Sequence, residues 1–262
     1  MVTSPPPHSD DVGLRGVPVR KPDGAIVTDA VAVEAPLEIR VNGRPLVITM
    51  RTPGHDEELA AGFLFAEGVV THADQVVSIR TEPASAQPSP DELAEGKVGA
   101  GARVMVELRD SADTTDIERA QRDFRATAAC GVCGKERLDD LEQTLPAITS
   151  IDVATDILAR LPDRMRPRQP LFEATGGIHA AGLFTLTGAL LSVREDIGRH
   201  NAVDKVIGRA VLDGATSLDN RILVVSGRAG FELVQKALKA AIPVMVSVGA
   251  ASSLAVEMAS AS

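Results

Sequence analysis

Tryptophan and tyrosine are absent, and aromatic residues make up only 2% of the 262-residue chain. Proteins that bind single-stranded nucleic acid stack bases on such rings, so that class is disfavoured. Positive charge is also short. The chain has 27 Lys and Arg against 36 Asp and Glu, a formal net charge of -9, and lacks the basic face of a general nucleic-acid binder. No apolar run approaches the roughly 20 residues that cross a bilayer. Met1 to Asp10 lacks the basic-then-apolar order of a secretory signal. Two cysteines are too few for a disulfide framework and read as a reduced pair in the cytosol. What remains is an ordinary globular composition, 44% hydrophobic and 24% charged. These bounds give a cytoplasmic protein of α/β class (α+β overall), with no nucleic-acid or membrane partner.

The two cysteines stand together in Ala129-Cys130-Gly131-Val132-Cys133-Gly134-Lys135, with Arg137 beyond. A thiol pair at this spacing can share a metal, form a reversible disulfide or carry sulfur. Zinc wants four ligands, or three and a water. The cysteines supply two, and His179 or His200 would have to supply a third. A zinc deaminase has Pro-Cys-x-x-Cys, whereas Ala129 precedes Cys130 here. A thioredoxin-type motif follows a strand in a βαβ unit. The flanking glycines suggest a mobile loop instead, which favours a thiol that travels between partners. Lys135, Arg137 and a helix expected over Lys135 to Leu145 would lower the thiol pKa.

Along the chain, residues 1–15 read as a disordered leader, with order expected from near Val31. Leu37 to Val41 and Leu46 to Met50 flank Asn42-Gly43, a strong hairpin signal. Asp56, Glu57 and Glu58 open a helix ended by Gly68, and their plain role is to complement its dipole. Val76 to Thr81 and Arg103 to Arg109 read as strands on either side of a Pro- and Ser-rich loop, and Asp116 to Phe124 as a short helix. The pattern predicts a helix over Asp152 to Leu161 closed by Pro162, then a stiff basic linker from Met165 to Pro170. Thr175 to His179 reads as a turn, and Leu183 to Leu186 pairs with Leu190 to Val193. Asn201 to Leu212 is an amphipathic helix with Asn201 as its cap and Asp204 completing it. Arg221 to Val225, Ala229 to Ala241, Pro243 to Ser247 and Ser253 to Ala259 form a βαβα unit with parallel strands. The division expected is residues 1–15, a β-rich subdomain over 16–125, and an α/β domain over 126–262.

Ligands of open α/β sheets bind beyond the carboxyl ends of the strands. There the chain places Ser226-Gly227-Arg228 and Ser247 to Ser253, two small-residue turns suited to an anion, with Arg228 to neutralise it. Glu195, Asp196, Arg199 and His200 are more polar groups than a solvated turn requires, and read as a ligand site.

Several segments occur together: Thr52-Pro-Gly-His-Asp-Glu-Glu-Leu, Cys130-Gly-Val-Cys133-Gly, Thr175-Gly-Gly-Ile-His179, Glu195-Asp-Ile-Gly-Arg199-His200-Asn-Ala-Val-Asp204-Lys205 and Ser226-Gly-Arg228-Ala-Gly-Phe-Glu-Leu-Val-Gln-Lys236. In this order they resemble the FdhD family of formate dehydrogenase accessory proteins. The resemblance implies a sulfurtransferase. A cysteine desulfurase would load Cys130 with a persulfide, and the sulfur would pass to the bis-guanine-dinucleotide form of the molybdenum cofactor for formate dehydrogenase. It further implies a homodimer and a cytidine deaminase-like α/β core without zinc catalysis. No cofactor would be permanently bound; the molybdenum cofactor would be a transient ligand. Cys133 would assist release or guard the site. Ser226, Arg228 and Ser252 would hold phosphates, and His179, Asp196, Arg199 and His200 the pterin or guanine. The family usually continues past the last helix with a strand and a Gly-Phe-x-Arg-like segment, where this sequence ends at Ser262.

Overall fold

The structure is a computed structural model that describes residues 13–83, 101–109, 148–149, 151–215 and 217–262. The cysteine stretch with Lys135 and Arg137, the expected helices over 116–124 and 135–145, and the boundary at 125/126 lie outside the described residues.

Order begins earlier than expected. β1 (Leu14–Arg20) and β2 (Ile26–Ala32) form a two-stranded antiparallel ribbon. Its turn is built on Pro22-Asp23-Gly24, with Gly24 at φ 87°. Pro18 is tolerated because a two-stranded ribbon consists only of edges.

β3 (Ala35–Val41) and β4 (Arg44–Arg51) form the hairpin predicted at Asn42-Gly43, both residues having positive φ. With β5 (Val76–Pro83) and β6 (Ala102–Leu108) they make a four-stranded sheet in the order β4-β3-β6-β5. Alternate residues of β3 (Leu37, Ile39, Val41) are fully buried, as are Val104 and Val106 of β6. This face packs on α1 (Asp56–Ala66) through Leu59, Phe63 and Leu64.

The second sheet has the order β10-β9-β7-β8. It comprises β7 (His179–Thr185), β8 (Leu190–Asp196), β9 (Arg221–Arg228) and β10 (Val244–Gly249). β9 and β10 run parallel across α5 (Phe231–Lys239), as the βαβα reading requires. β9 is buried on both faces. Leu223 and Val225 join the core under α4 (Arg199–Leu212), while Ile222 and Val224 pack with Leu161 and Met165 of α2 (Thr155–Met165). Pro162 therefore lies inside α2 rather than closing it. The loss of one helical hydrogen bond there is offset by the full burial of Leu161 and Met165. The basic linker is likewise ordered, as a 3-10 turn at Arg166–Arg168 followed by α3 (Pro170–Thr175). α6 (Ser253–Ala261) follows β10.

The two sheets meet through a close crossing of α1 and α4. A Cβ built on Gly62 would lie 1.8 Å from the Asp204 carbonyl oxygen, and one on Gly208 would lie 1.8 Å from that of Glu58. Only glycine at both positions lets the backbones touch. Among the described residues, no helix is long and apolar enough to cross a membrane.

Candidate functional site

The polar segments do two different jobs, and burial separates them. The first is an interlock between the two sheets. Asp196, at the end of β8, is fully buried, and Lys205 of α4 is 1% exposed. Their charged atoms lie 2.7 Å apart. Asp196 also accepts hydrogen bonds from the backbone N–H groups of Thr52 (3.1 Å) and Gly198 (2.8 Å) and from Asn201 Nδ2 (3.0 Å). Lys205 donates to the Thr52 carbonyl at 2.9 Å, and Asn201 to that of Met50 at 2.8 Å. Asn201 is thus not the helix cap: α4 starts at Arg199 behind Gly198, and the amide is spent on a tertiary contact.

Arg51 and Asp56 add a buried bidentate pair at 2.8 and 2.7 Å. Glu58 receives both Nε and Nη2 of Arg194. Burial would push the Glu58 carboxyl up, but Arg194 and then His55 hold it down to about 2. The acidic trio therefore makes tertiary bonds beyond its dipole role, and Glu57 caps the Thr81 N–H at 3.1 Å. The His-x-Glu spacing of a zinc deaminase occurs at His55-Asp56-Glu57, where Glu57 has this backbone partner. Among the described residues no group of three or more His, Cys, Asp or Glu side chains can hold a metal ion.

Asp204 also departs from the capping role. It meets Lys236 of α5 at 2.7 and 3.0 Å. Burial raises the Asp204 carboxyl, with Lys236 pulling against it. Lys236 is held above its ordinary range, against burial, chiefly by Asp204 and then Glu67. The two-oxygen geometry is that of an ion pair.

The second job belongs to one edge of the second sheet. β8, β9 and β10 end there, β7 begins there, and α4, α5 and α6 all start there with their N–H groups directed at the edge. His179 opens β7 and is not in a turn. A Cβ on Gly227 would lie 3.4 Å from the His179 ring and 4.0 Å from Arg199 Cδ, so both side chains lie over this glycine. Burial, then the charges of Arg199 and His200, lower the His179 pKa and favour its neutral form.

Pairing of β7 with β9 stops at Ala181 and Val225, and the next donor, Ala180 N–H, bonds to Ser226 Oγ at 2.9 Å. Ser226 to Arg228 is thus strand end rather than turn. β10 carries a register irregularity between Ser247 and Gly249, opposite exposed Arg228. Ser252 caps α6 by accepting from Ala255 N–H at 3.3 Å. His200 pairs with Glu232. Among the described residues neither Arg199 nor Arg228 has a carboxylate partner.

The structure therefore brings His179, Arg199, His200 and Arg228 together at the edge. It sets Asp196 beneath them and gives Ser226 and Ser252 backbone partners. Such an edge, with two guanidinium groups that have no carboxylate partner among the described residues and with three helix N-termini, can hold a polyanion. Two open depressions lie elsewhere: about 400 Å³ along β8 at Arg168 and Leu190 to Arg194, and about 470 Å³ beside His55, Thr81 and Arg209. Of the interlock residues, Thr52 and Lys205 stand in the family-like segments without a role that the sequence assigns, and Arg51 stands in none of them. The available signal was Lys205 itself, a lysine among apolar helix positions that needs a buried carboxylate.

Residues 32–262 match the model of the FdhD/NarQ family. A Streptomyces avermitilis protein named sulfur carrier protein FdhD is 45% identical over 252 residues, covering 93% of this chain and 86% of that protein. A Mycobacterium tuberculosis protein of the same name is 47% identical over 242 residues, covering 89% and 84%. A crystal structure from Desulfotalea psychrophila, described as that of a formate dehydrogenase accessory protein, superposes with a TM-score of 0.67 at 25% identity. The match covers 95% of this chain and 88% of that one.

Proposed function

The chain belongs to the FdhD/NarQ family, and from that premise we propose that it carries sulfur from a cysteine desulfurase to the molybdenum cofactor needed by formate dehydrogenase. The observation that carries this reading is the 45–47% identity, over most of the chain, to proteins named as sulfur carriers. In the first step the Cys130 thiolate attacks the terminal sulfur of the desulfurase persulfide. The old S–S bond breaks, the desulfurase thiolate leaves, and Cys130 holds the persulfide. Cys133 assists release or protects the bound sulfur.

The cofactor is the cargo of this reaction. Its guanine-dinucleotide form is polyanionic, and the sheet edge suits it. Arg199 and Arg228 supply charge without carboxylate partners among the described residues, and His179 supplies a neutral imidazole. The same proposal includes a homodimer, a cytoplasmic setting and a cytidine deaminase-like C-terminal core. In support of the last, the mixed sheet has helices on both faces.

Incubation with a cysteine desulfurase and cysteine, followed by mass spectrometry, should show one added sulfur on Cys130 and none in Cys130→Ala. A folded wild type that gains no sulfur there would end the proposal. If Cys130→Ala still activates formate dehydrogenase in cells, the protein is a cofactor-binding chaperone instead.

A further inference from the structure

α4 and α5 are joined by two polar rungs spaced one helical turn apart on both helices, His200 with Glu232 and Asp204 with Lys236. The lower rung is buried, its side chains 3% and 12% exposed, and it already sets the register of the two helices. The upper rung differs. It lies in the first turn of both helices at the sheet edge, is a quarter to a third exposed, and places His200 Nε2 2.6 Å from Glu232 Oε2. His200 is close enough to His179 for its charge to be felt there. A second polar contact so near the first adds little to helix registry, whereas it holds one imidazole beside Arg199, which has no carboxylate partner among the described residues.

We propose that Glu232 is a positioning residue. Its carboxylate, 2.6 Å from Nε2 of His200, holds that ring so that Nδ1 is the nitrogen left for the ligand of the sheet edge. A partner held at one imidazole nitrogen decides what the other can do, so Glu232 acts on the ligand only through His200. This inference rests on the proposed reading of the edge as a nucleotide-bearing cofactor site.

The test is isothermal titration of the full chain with GDP, a fragment of such a cofactor. It compares wild type, Glu232→Gln, Glu232→Ala, His200→Ala and the double alanine variant. Loss of an orienting partner should weaken GDP binding about tenfold in Glu232→Ala. The double variant should bind no worse than the weaker single one, since both changes remove the same contact. Glu232→Gln keeps a polar oxygen beside Nε2 and should stay within about threefold of wild type. Thermal melts should hold for all variants, because Asp204–Lys236 is intact. Unchanged binding by Glu232→Ala, or additive losses in the double variant, would overturn the positioning role. A wild type that does not bind GDP would overturn the cofactor-site reading and the inference together.

Discussion

Replacing Asp196 with alanine should destabilise the fold rather than merely weaken a ligand. The change leaves the Lys205 ammonium, 1% exposed, without its counter-charge, and orphans the N–H groups of Thr52 and Gly198. Breaking a buried ion pair from one side costs about 3–5 kcal/mol, and each stranded donor about 1 more. A loss of about 5–7 kcal/mol is therefore expected, a large part of a typical domain's stability. Lys205→Met should cost less, about 2–4 kcal/mol, because the Asp196 carboxylate keeps its three N–H donors. The double variant should lose at least about 1.5 kcal/mol less than the sum of the two. Urea unfolding followed by far-ultraviolet circular dichroism measures this; the chain has no Trp or Tyr for intrinsic fluorescence. Asp196→Ala within about 1 kcal/mol of wild type, or strict additivity with Lys205→Met, would refute the interlock.

Two further outcomes are expected. Gly62→Ala should destabilise by about 3 kcal/mol or more, although alanine favours an isolated helix by about 1. The new methyl would meet the Asp204 carbonyl at 1.8 Å, so a neutral or stabilising result in thermal melts would remove the close crossing. Glu58 has its carboxyl held at about 2, below the ordinary 4.5, so its contribution is complete above about pH 4.5 and is lost as pH falls through 2. Glu58→Gln should cost about 2 kcal/mol at neutral pH, allowing for partial solvent screening, and progressively less below pH 4.5. A gap independent of pH in denaturant titrations would contradict the pairing with Arg194.

Local patterns were legible wherever one short-range rule decided the outcome. Asn42-Gly43 set a hairpin because few residues accept two successive positive φ values. The apolar runs at 221–225 and 244–247 became parallel strands, since β9 is buried on both faces. Pro22-Asp23-Gly24 carried the same kind of turn signal for the β1–β2 ribbon, but the strands on either side lacked clean alternation. Pro162 misled because its local penalty is smaller than the burial of Leu161 and Met165.

The family and the sheet end at which the candidate site sits can be read from the chain alone, because both follow from contiguous segments. The sequence also pointed to Glu195, Asp196, Arg199 and His200 as a polar ligand site and, separately, to Arg228 as the partner of an anion. Only tertiary structure could divide those polar residues by role. Asp196 and Arg199 are three positions apart, yet one is sealed against Lys205 and Thr52 while the other lies over Gly227. That difference depends on partners as far as 144 positions away in the chain, and no local spacing encodes it. The meeting of Gly62 with the α4 backbone has the same origin, since the value of a missing Cβ appears only when a second helix arrives.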